Sequence, residues 1–388
     1  MNQGSYRDTW AEISLDNIQD NVKTFKNYIH NDVKLMAVVK ADGYGHGAVE
    51  VAEIAEEAGA DYLAVAFLDE AIQLRQAGLT SPILVLGYTK SSAVEDAIKH
   101  NITLTVFTSE VVEKIIAVAE ERKQVVQVHV KIDSGMNRIG INNKEDAHAL
   151  VDSIASEYVC LEGIFTHFAD ADSIDSTYTE QQFSTFIEIV SYLEEQGIEI
   201  PIKHCCNSAA TIAFPEMHLD MVRVGISLYG LYPSEHLLEK ISLKQAMSLK
   251  TKAIFIKNVA AGQPISYGCT FTPQEEAIIA TMPIGYADGL SRALSSKGAV
   301  TIRGEKAPIV GRVCMDQTMI DVTAFDQFHQ EDIITIFGEP SEGYISLAEV
   351  AEQMNTIHYE TACLIGKRVP RVYIHNGKVI KEQGLLKY

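Results

Sequence analysis

The sequence predicts an α/β fold: an N-terminal (β/α)8 TIM-type barrel followed by a mostly β C-terminal domain. Three observations carry this. From about residue 33 to 230, short β-branched runs alternate with amphipathic segments, which implies parallel strands joined by crossover helices. Eight such strands can be counted, the number that closes a barrel. After about residue 243 the texture changes to strand-like runs broken by Gly or Pro turns.

In chain order the barrel strands are "VKLMAVVK", "DYLAVAF", "PILVLGY", "ITLTVF", "VVQVHVKI", "VCLEGIFTHF", "IPIKHCCN" and "MVRVGISLYG". Between them, "GAVEVAEIAEEAG", "LDEAIQLRQAG" and "SEVVEKIIAVAEER" repeat apolar residues at i, i+3 or i+4, the helical period. Further on, "KTKAIFIKNVAAG", "AIIATMPIGYADG", "AVTIRGEKAPIVGRVCMDQTMIDV" and "DIITIFG" are strand-like, and "SLAEVAEQMN" is the one clear helix. The predicted division is a barrel over 11–243 and a β domain over 244–388 that also takes in 1–10. There are no internal repeats and no low-complexity tract, and no flexible linker marks the junction.

With 388 residues, 47% of them hydrophobic, the chain can bury a sizeable core. The net charge of -20, from 52 acidic against 32 basic residues, argues against nucleic acid or an anionic membrane as partner. Small anionic ligands stay open, since they need only one or two local cations. The six cysteines form no C-x-x-C pair, so zinc and redox motifs lack support and no disulfide framework is expected. The first residues lack the apolar core of a signal peptide and no stretch has the length of a membrane span. A soluble cytoplasmic protein is expected.

Barrels keep their chemistry at the C-terminal ends of the strands. Lys40 ends the first strand, with Tyr44 and His46 close behind in "AVVKADGYGHG". A charged amine at the tip of a buried strand needs a partner, water or a job. Lys131, Asp133 and Arg138 follow the fifth strand in "KIDSGMNRIG", and His167 ends the sixth. Asn207 and Ser208 end the seventh; Arg223, Gly225 and Ile226 lie along or after the eighth. The loops after strands seven and eight often bind phosphate. A phosphate site across the mouth from a lysine suits a phosphorylated aldehyde, and pyridoxal 5'-phosphate (PLP) is one. Each residue alone has a plainer reading: a solvated lysine, an N-cap, a structural histidine, an Arg138–Asp133 pair. Their convergence at one mouth would make those readings several independent coincidences.

"VVKADGYGHG" resembles the cofactor-lysine signature of the alanine racemase family. The resemblance runs over nearly the whole chain, because "VKIDSGMNRIG", "EGIFTHFADAD", "NSAA", "VRVGISLYG", "ISYG", "PIGYADG", "GRVCMDQ" and "RVPR" follow in the family's order. It implies a PLP-binding barrel with a β domain, joined early by "YRDTWAEI", in a homodimer whose two active sites lie at the interface. The implied reaction interconverts L-alanine and D-alanine, the latter supplied for peptidoglycan.

The resemblance also implies roles. Lys40 holds PLP covalently and, once displaced by substrate, is the base on one face of Cα. Tyr267 of "ISYG", from the other subunit, serves the opposite face; a phenol near its usual pKa of ~10 needs positive charge close by to do so, and Arg138 is the candidate. Arg223 faces the pyridine nitrogen. Because arginine stays protonated, that nitrogen remains unprotonated and the ring is a weaker electron sink, which disfavours transamination. Tyr44, Ser208, Tyr359 and the backbone of Gly225 and Ile226 hold the phosphate, and His167 supports the network around Arg223. Arg138 touches the PLP phenolic oxygen and the substrate, while Met315 and Asp316 of "CMDQ" shape the partner side of the pocket. Lys131 resembles a lysine carbamylated in some members, where it orients Arg138. One stretch departs from the family's commoner wording: "NTIHYETACLIG" keeps the tyrosine, but His358 and "TACLIG" differ. The alternatives are a racemase of another or broader range of amino acids, and a PLP-binding protein without racemase activity. A decarboxylase is disfavoured by Arg223.

Overall fold

The computed structural model describes residues 6–384. The expectation that the extreme ends join the β domain lies, for residues 1–5 and 385–388, outside the described residues. The chain divides into two compact units. One holds Ile18–Gly43 and Ala48–Leu243; the other holds the described residues up to Asn17, Tyr44–Gly47, and the described residues from Lys244 onward.

After a first strand, β1 (Thr9–Ser14), that belongs to the second unit, eight parallel strands build the first: β2 (Lys34–Val38), β3 (Tyr62–Val65), β4 (Ile83–Val85), β5 (Thr103–Val106), β6 (Val126–Lys131), β7 (Val159–Phe165), β8 (Ile202–His204) and β9 (Met221–Val224). They pair in the order β9-β2-β3-β4-β5-β6-β7-β8. The ends of that order meet through irregular backbone bonds, Asp220 N–H to Lys203 O (3.1 Å) and Arg223 N–H to Cys206 O (3.0 Å). This closes the barrel. Every residue of β3, β4, β5 and β9 is buried. Parallel strands covered on both faces read as unbroken apolar runs, which is why the sequence shows runs here and not alternation. Helices Ala48–Glu57, Leu68–Gln76 and Ser109–Arg122 fall where the helical period places them.

Two departures from regular structure sit at the strand ends that matter for function. After β2, Ala41 (φ 53°), Asp42 (φ 55°), Gly43 (φ 59°) and Tyr44 (φ 51°) wind one turn of left-handed helix. That conformation costs about 1–2 kcal/mol for each non-glycine residue. It is held by Gly43 N–H on Val39 O (2.9 Å), Ala48 N–H on Asp42 Oδ1 (3.1 Å) and Ala41 N–H on Glu70 Oε1 (2.6 Å). After β6, the chain doubles back so that Asp133 N–H bonds Ile141 O (2.8 Å) and Ile141 N–H bonds Lys131 O (3.0 Å). The Asp133 carboxylate accepts from the backbone N–H groups of Gly135, Asn137 and Arg138. It therefore shapes the loop and leaves the Arg138 guanidinium to other work, contrary to the simple ion pair that sequence allowed.

In the second unit a seven-stranded sheet runs β14 (Glu305–Pro308), β13 (Ala299–Ile302), β16 (Ile334–Phe337), β10 (Met247–Thr251), β1, β17 (Arg371–His375), β18 (Lys378–Gln383). A three-stranded sheet orders β11 (Phe255–Val259), β12 (Ala277–Met282) and β15 (Thr318–Asp321). β1 pairs antiparallel with β10 from Thr9 to Ile13 and parallel with β17 from Ala11 to Ser14. A border after residue 10 would cut this strand in half, so the division falls later, after Asn17. The expected helix is Leu347–Gln353, with Ser346 and Glu349 forming a reciprocal cap. A second helix, His358–Leu364, was not expected. Seven residues flanked by Ile357 and Ile365 are too few to display a helical period.

The doubled-back loop after β6 depends on Gly140. Its φ is +122°, and an added Cβ would lie 2.8 Å from Asp133 N and 2.9 Å from Ile132 C. Gly140→Ala is expected to lower stability by about 1–3 kcal/mol. A urea midpoint equal to the parent's would show that the loop yields at no cost.

Candidate active site

The barrel mouth is organised by one buried cation. Arg223, on β9, is 3% exposed. Its Nη1 meets His204 Nδ1 (3.0 Å); its Nη2 donates to Thr166 O (2.8 Å) and Cys205 O (3.0 Å) and meets His167 Nδ1 (3.2 Å). The Phe165 ring lies 5.3 Å from the guanidinium carbon. All these partners are neutral. No carboxylate among the described residues forms an ion pair with Arg223, so its charge is solvated by dipoles alone. Burial lowers it to about 10, which still leaves it protonated at neutral pH.

That charge dictates its neighbours. Arginine can only donate, so His167 Nδ1 and His204 Nδ1 must both be unprotonated acceptors. Burial, then the Arg223 charge, push both histidines well below their ordinary value, with Lys131, Arg138 and Lys40 adding at His167. Lys40 and Arg138 thus act on the same histidine as Arg223, which brings these sequence-predicted residues into one electrostatic cluster. Lys131, 3% exposed, donates to Ile132 O (2.7 Å) and stands over the Phe165 ring at 5.3 Å. Burial, then Arg223, opposed by Asp133 and helped by Arg138, lowers its ammonium to about 7.

After β8, Asn207 caps the short helix Ser208–Ala213, its side chain accepting from Ala210 N–H (3.0 Å). Ser208 Oγ accepts from Gly225 N–H at 2.9 Å, which fixes the hydroxyl beside the turn that begins at Ile226. Ser208, Gly225 and Ile226 are thus brought together at the ends of β8 and β9.

In the second unit, Tyr44 is buried and lies 6.4 Å, centroid to centroid, from Tyr359 on the unexpected helix. Burial, then Tyr359 and Cys363, raise the Tyr44 phenol, so it stays a hydrogen-bond donor. His46 Nδ1 pairs with Tyr44 O (3.0 Å). Elsewhere in this unit three separated motifs are tied into one surface. Ser266 Oγ donates to Arg312 O (2.7 Å), Tyr286 N–H to Cys314 O (2.9 Å), and Ala287 N–H to Met315 O (3.0 Å). Ser266 carries φ 67° and ψ −177°, a region that costs a non-glycine residue about 1–3 kcal/mol. It immediately precedes Tyr267, which is 72% exposed; Met315, 53% exposed, and exposed Tyr286 lie in the motifs that those bonds join. Asp316 Oδ1 is gripped by Arg368 Nη2 (2.6 Å), whose Nε holds the fully buried Asp288 (2.7 Å). Arg7 Nη1 binds the same Asp288 oxygen at 2.8 Å.

The donor set fits PLP. An arginine without a counter-ion suits an unprotonated ring nitrogen, and the Ser208 hydroxyl beside the Gly225–Ile226 turn suits a phosphate. Among the described residues no group of three or more His, Cys, Asp or Glu is placed to hold a metal, and no helix is long and apolar enough to cross a membrane. His204 and its neighbour His129 were missed from sequence. The available signal was a histidine inside each of two strand runs, "VVQVHVKI" and "IPIKHCCN".

A closed barrel with a strand-end lysine, followed by a β unit, defines an α/β-barrel enzyme with a C-terminal β domain. Residues 13–233 match the family described as alanine racemase, N-terminal domain, and residues 246–373 match alanine racemase, C-terminal domain. The chain belongs to the alanine racemase family, whose members are isomerases. It is 61% identical to alanine racemase 2 of Oceanobacillus iheyensis, over 100% of this chain and 98% of that one. The alanine racemase of Clostridium difficile 630 superimposes with a TM-score of 0.93 at 45% identity, covering 98% of this chain and 99% of that one. A histidine racemase from Leuconostoc mesenteroides superimposes at 0.87 with 29% identity, covering 95% of this chain and 99% of that one.

Lys131 gives a pH signature. Between about 7 and its ordinary 10.5 the folded lysine binds fewer protons than the unfolded chain, so stability rises with pH through that window. The penalty is complete below about 7 and gone above 10.5. In carbon dioxide–free buffer, Lys131→Met is expected to remove this rise. Parallel stability curves for parent and variant from neutral to alkaline pH would contradict it.

Proposed function

We propose that the protein interconverts L-alanine and D-alanine with PLP at the barrel mouth, using Lys40 and Tyr267 on opposite faces of the substrate. The observation that carries the reading is Arg223: a buried guanidinium held only by neutral acceptors. Bound there, PLP supplies an electron sink that acidifies the substrate Cα–H. Lys40 would hold the cofactor covalently; Tyr44, Ser208, Tyr359 and the Gly225–Ile226 backbone would hold its phosphate. Arg223 would offer the ring nitrogen a hydrogen bond while keeping its own proton, which keeps the sink weak and protonation at Cα favoured. His167 would steady Arg223, and Arg138 would touch the phenolic oxygen and the substrate carboxylate.

The Lys40 amine would take or return the Cα proton on one face and the Tyr267 hydroxyl on the other. Tyr267 is mostly exposed, as is Met315, whereas proton transfer at carbon needs a site shielded from water. This supports a homodimer in which a second copy covers that surface and each β unit, through Tyr267, Met315 and Asp316, completes the other's site. Lys131, with an amine near neutral pKa, is suited to carbamylation, which would turn a cation into an anion beside Arg138. Bicarbonate added to the stability measurement above should then abolish the Lys131 pH signature and leave an intact mass one carbon dioxide heavier, lost in acid. D-alanine made in the cytoplasm for peptidoglycan completes the reading, supported by family membership.

Cα–H exchange in D₂O tests the whole reading. PLP-loaded protein is incubated with L-alanine, L-serine, L-lysine, L-glutamate and L-histidine while deuterium and chirality are followed. Exchange with inversion for alanine alone is expected. Inversion of another substrate in preference would move the protein toward the second reading, a racemase of other amino acids, which the histidine racemase of like fold favours. No exchange with PLP bound would leave a cofactor-binding protein. Tyr267→Phe should keep exchange from one enantiomer while losing inversion.

Arg223→Glu should retain PLP yet raise transamination relative to racemisation. An unchanged ratio would remove Arg223 from control of the ring nitrogen.

A further inference from the structure

Arg223 is one end of a single-file chain of hydrogen bonds. His204, whose Nδ1 faces Arg223, turns its Nε2 to His129 Nδ1 at 2.8 Å. His129 Nε2 lies 3.0 Å from Glu162 Oε2. Tyr62 OH donates to that same carboxylate oxygen. Both histidines are fully buried, and all five residues lie in the barrel unit.

The proton positions along this chain follow from its two ends. Arg223 can only donate, so His204 Nδ1 accepts and His204 carries its proton on Nε2. That proton points at His129 Nδ1, which must accept, so His129 is also protonated on Nε2. The His129 Nε2–H points at Glu162, and an ionised carboxylate can only accept. Every bond in the chain is satisfied, and in one direction only. Burial lowers both histidines, which fits neutral rings. Burial raises Glu162, but the bonds from His129 and Tyr62 outweigh it and bring the carboxyl below its ordinary range. The Glu162 side chain keeps 24% exposure, so its charge remains partly solvated.

The backbone is built around this arrangement. Between β6 and β7 the register passes from Val128↔Leu161 to His129↔Gly163, which leaves Glu162 as the extra residue of a β-bulge. The next residue is Gly163, where an added Cβ would lie 2.7 Å from the His129 ring and 2.8 Å from Ile202 O. A bulge aims the carboxylate and a missing side chain makes room for the imidazole.

We propose that Glu162 is a positioning residue for Arg223, fixing through His129 and His204 the proton pattern that presents an acceptor to the guanidinium. This rests on the reading of Arg223 as the group facing the ring nitrogen. Without an acceptor at position 162, the His129 proton moves to Nδ1, the His204 proton to Nδ1, and a donor then faces a donor at Arg223. The guanidinium is displaced from the geometry that restrains transamination.

The test joins two measurements on the whole protein. Long-range ¹⁵N–¹H spectra of histidine-labelled protein, with and without PLP, report each tautomer. Wild type is expected to show His129 and His204 neutral and protonated on Nε2; an Nδ1–H or doubly protonated form of either overturns the chain, whatever Arg223 does. Glu162→Leu should shift both tautomers and raise the ratio of transamination to racemisation on the order of tenfold, the worth of one hydrogen bond at a buried charge. Glu162→Gln, whose carbonyl can accept from both His129 and Tyr62, should return both readouts toward wild type. Shifted tautomers with an unchanged ratio would overturn the positioning role, provided Arg223→Glu does change the ratio; if neither variant changes it, the Arg223 reading itself has failed. Should Glu162→Leu not fold, the wild-type tautomers and Gly163→Ala, which pushes a methyl group into the His129 ring, decide the matter in the same way.

Discussion

A guanidinium buried without a carboxylate is the constraint to which the barrel mouth answers. Taking a charge out of water is costly unless its donors find partners, and a counter-ion is the usual remedy. Here the remedy is four neutral acceptors and an aromatic face, drawn from β7, β8 and the segment beyond them. The cost falls on the neighbours. Two histidines are held neutral and a lysine is brought to near neutrality, by burial first and by the Arg223 charge second. One residue on the closing strand therefore adds its charge to the effect of burial at each of these groups, and closure itself passes through its backbone, since Arg223 N–H bonds Cys206 O.

The second unit solves a different problem. Its three functional motifs are far apart in sequence and are carried on turns more than on strands. Backbone and hydroxyl bonds knit "ISYG", "PIGYADG" and "GRVCMDQ" to one another, and Asp288 gathers Arg7 and Arg368 behind Asp316. Those bonds decide where Tyr267 and Asp316 stand. Ser266, in a conformation that favours glycine, shows that the placement of the adjacent tyrosine is maintained against local preference.

The architecture was legible because its signals are strong ones. Strands buried on both faces leave apolar runs that helices with exposed faces cannot mimic, and the eight runs became β2 to β9. Strand ends could be read as a mouth once the barrel was recognised, which brought Lys40, Lys131, His167, Ser208 and Arg223 into view. What stayed hidden lacks any period. His129 and His204 sit at strand positions that look like core, and only their ring-to-ring contact shows otherwise. Glu162 reads as one polar residue in an apolar run, because a bulge leaves no mark in a two-residue repeat. β1 was cut short because its pairing partners begin more than 230 residues away. The left-handed turn after Lys40 is equally unannounced, since only one of its four residues is glycine.

The position of β1 has a consequence for how the protein is made. It is made before all eight barrel strands, yet both its neighbours, β10 and β17, follow them in the chain. At ~5–20 residues per second, synthesis leaves it without either partner for roughly 12–48 s until β10 is made, and without the second for roughly 18–72 s until β17 is made. Its alternating pattern, with Thr9, Ala11 and Ile13 buried and Trp10, Glu12 and Ser14 only partly so, gives it one mostly apolar face and two unpaired backbone edges during that wait. The barrel strands can meanwhile pair with sequence neighbours as they appear. Biosynthesis thus separates a unit that can assemble in step with translation from one that must wait for strands made after the barrel, and it makes β1 the segment most in need of protection from pairing with another chain.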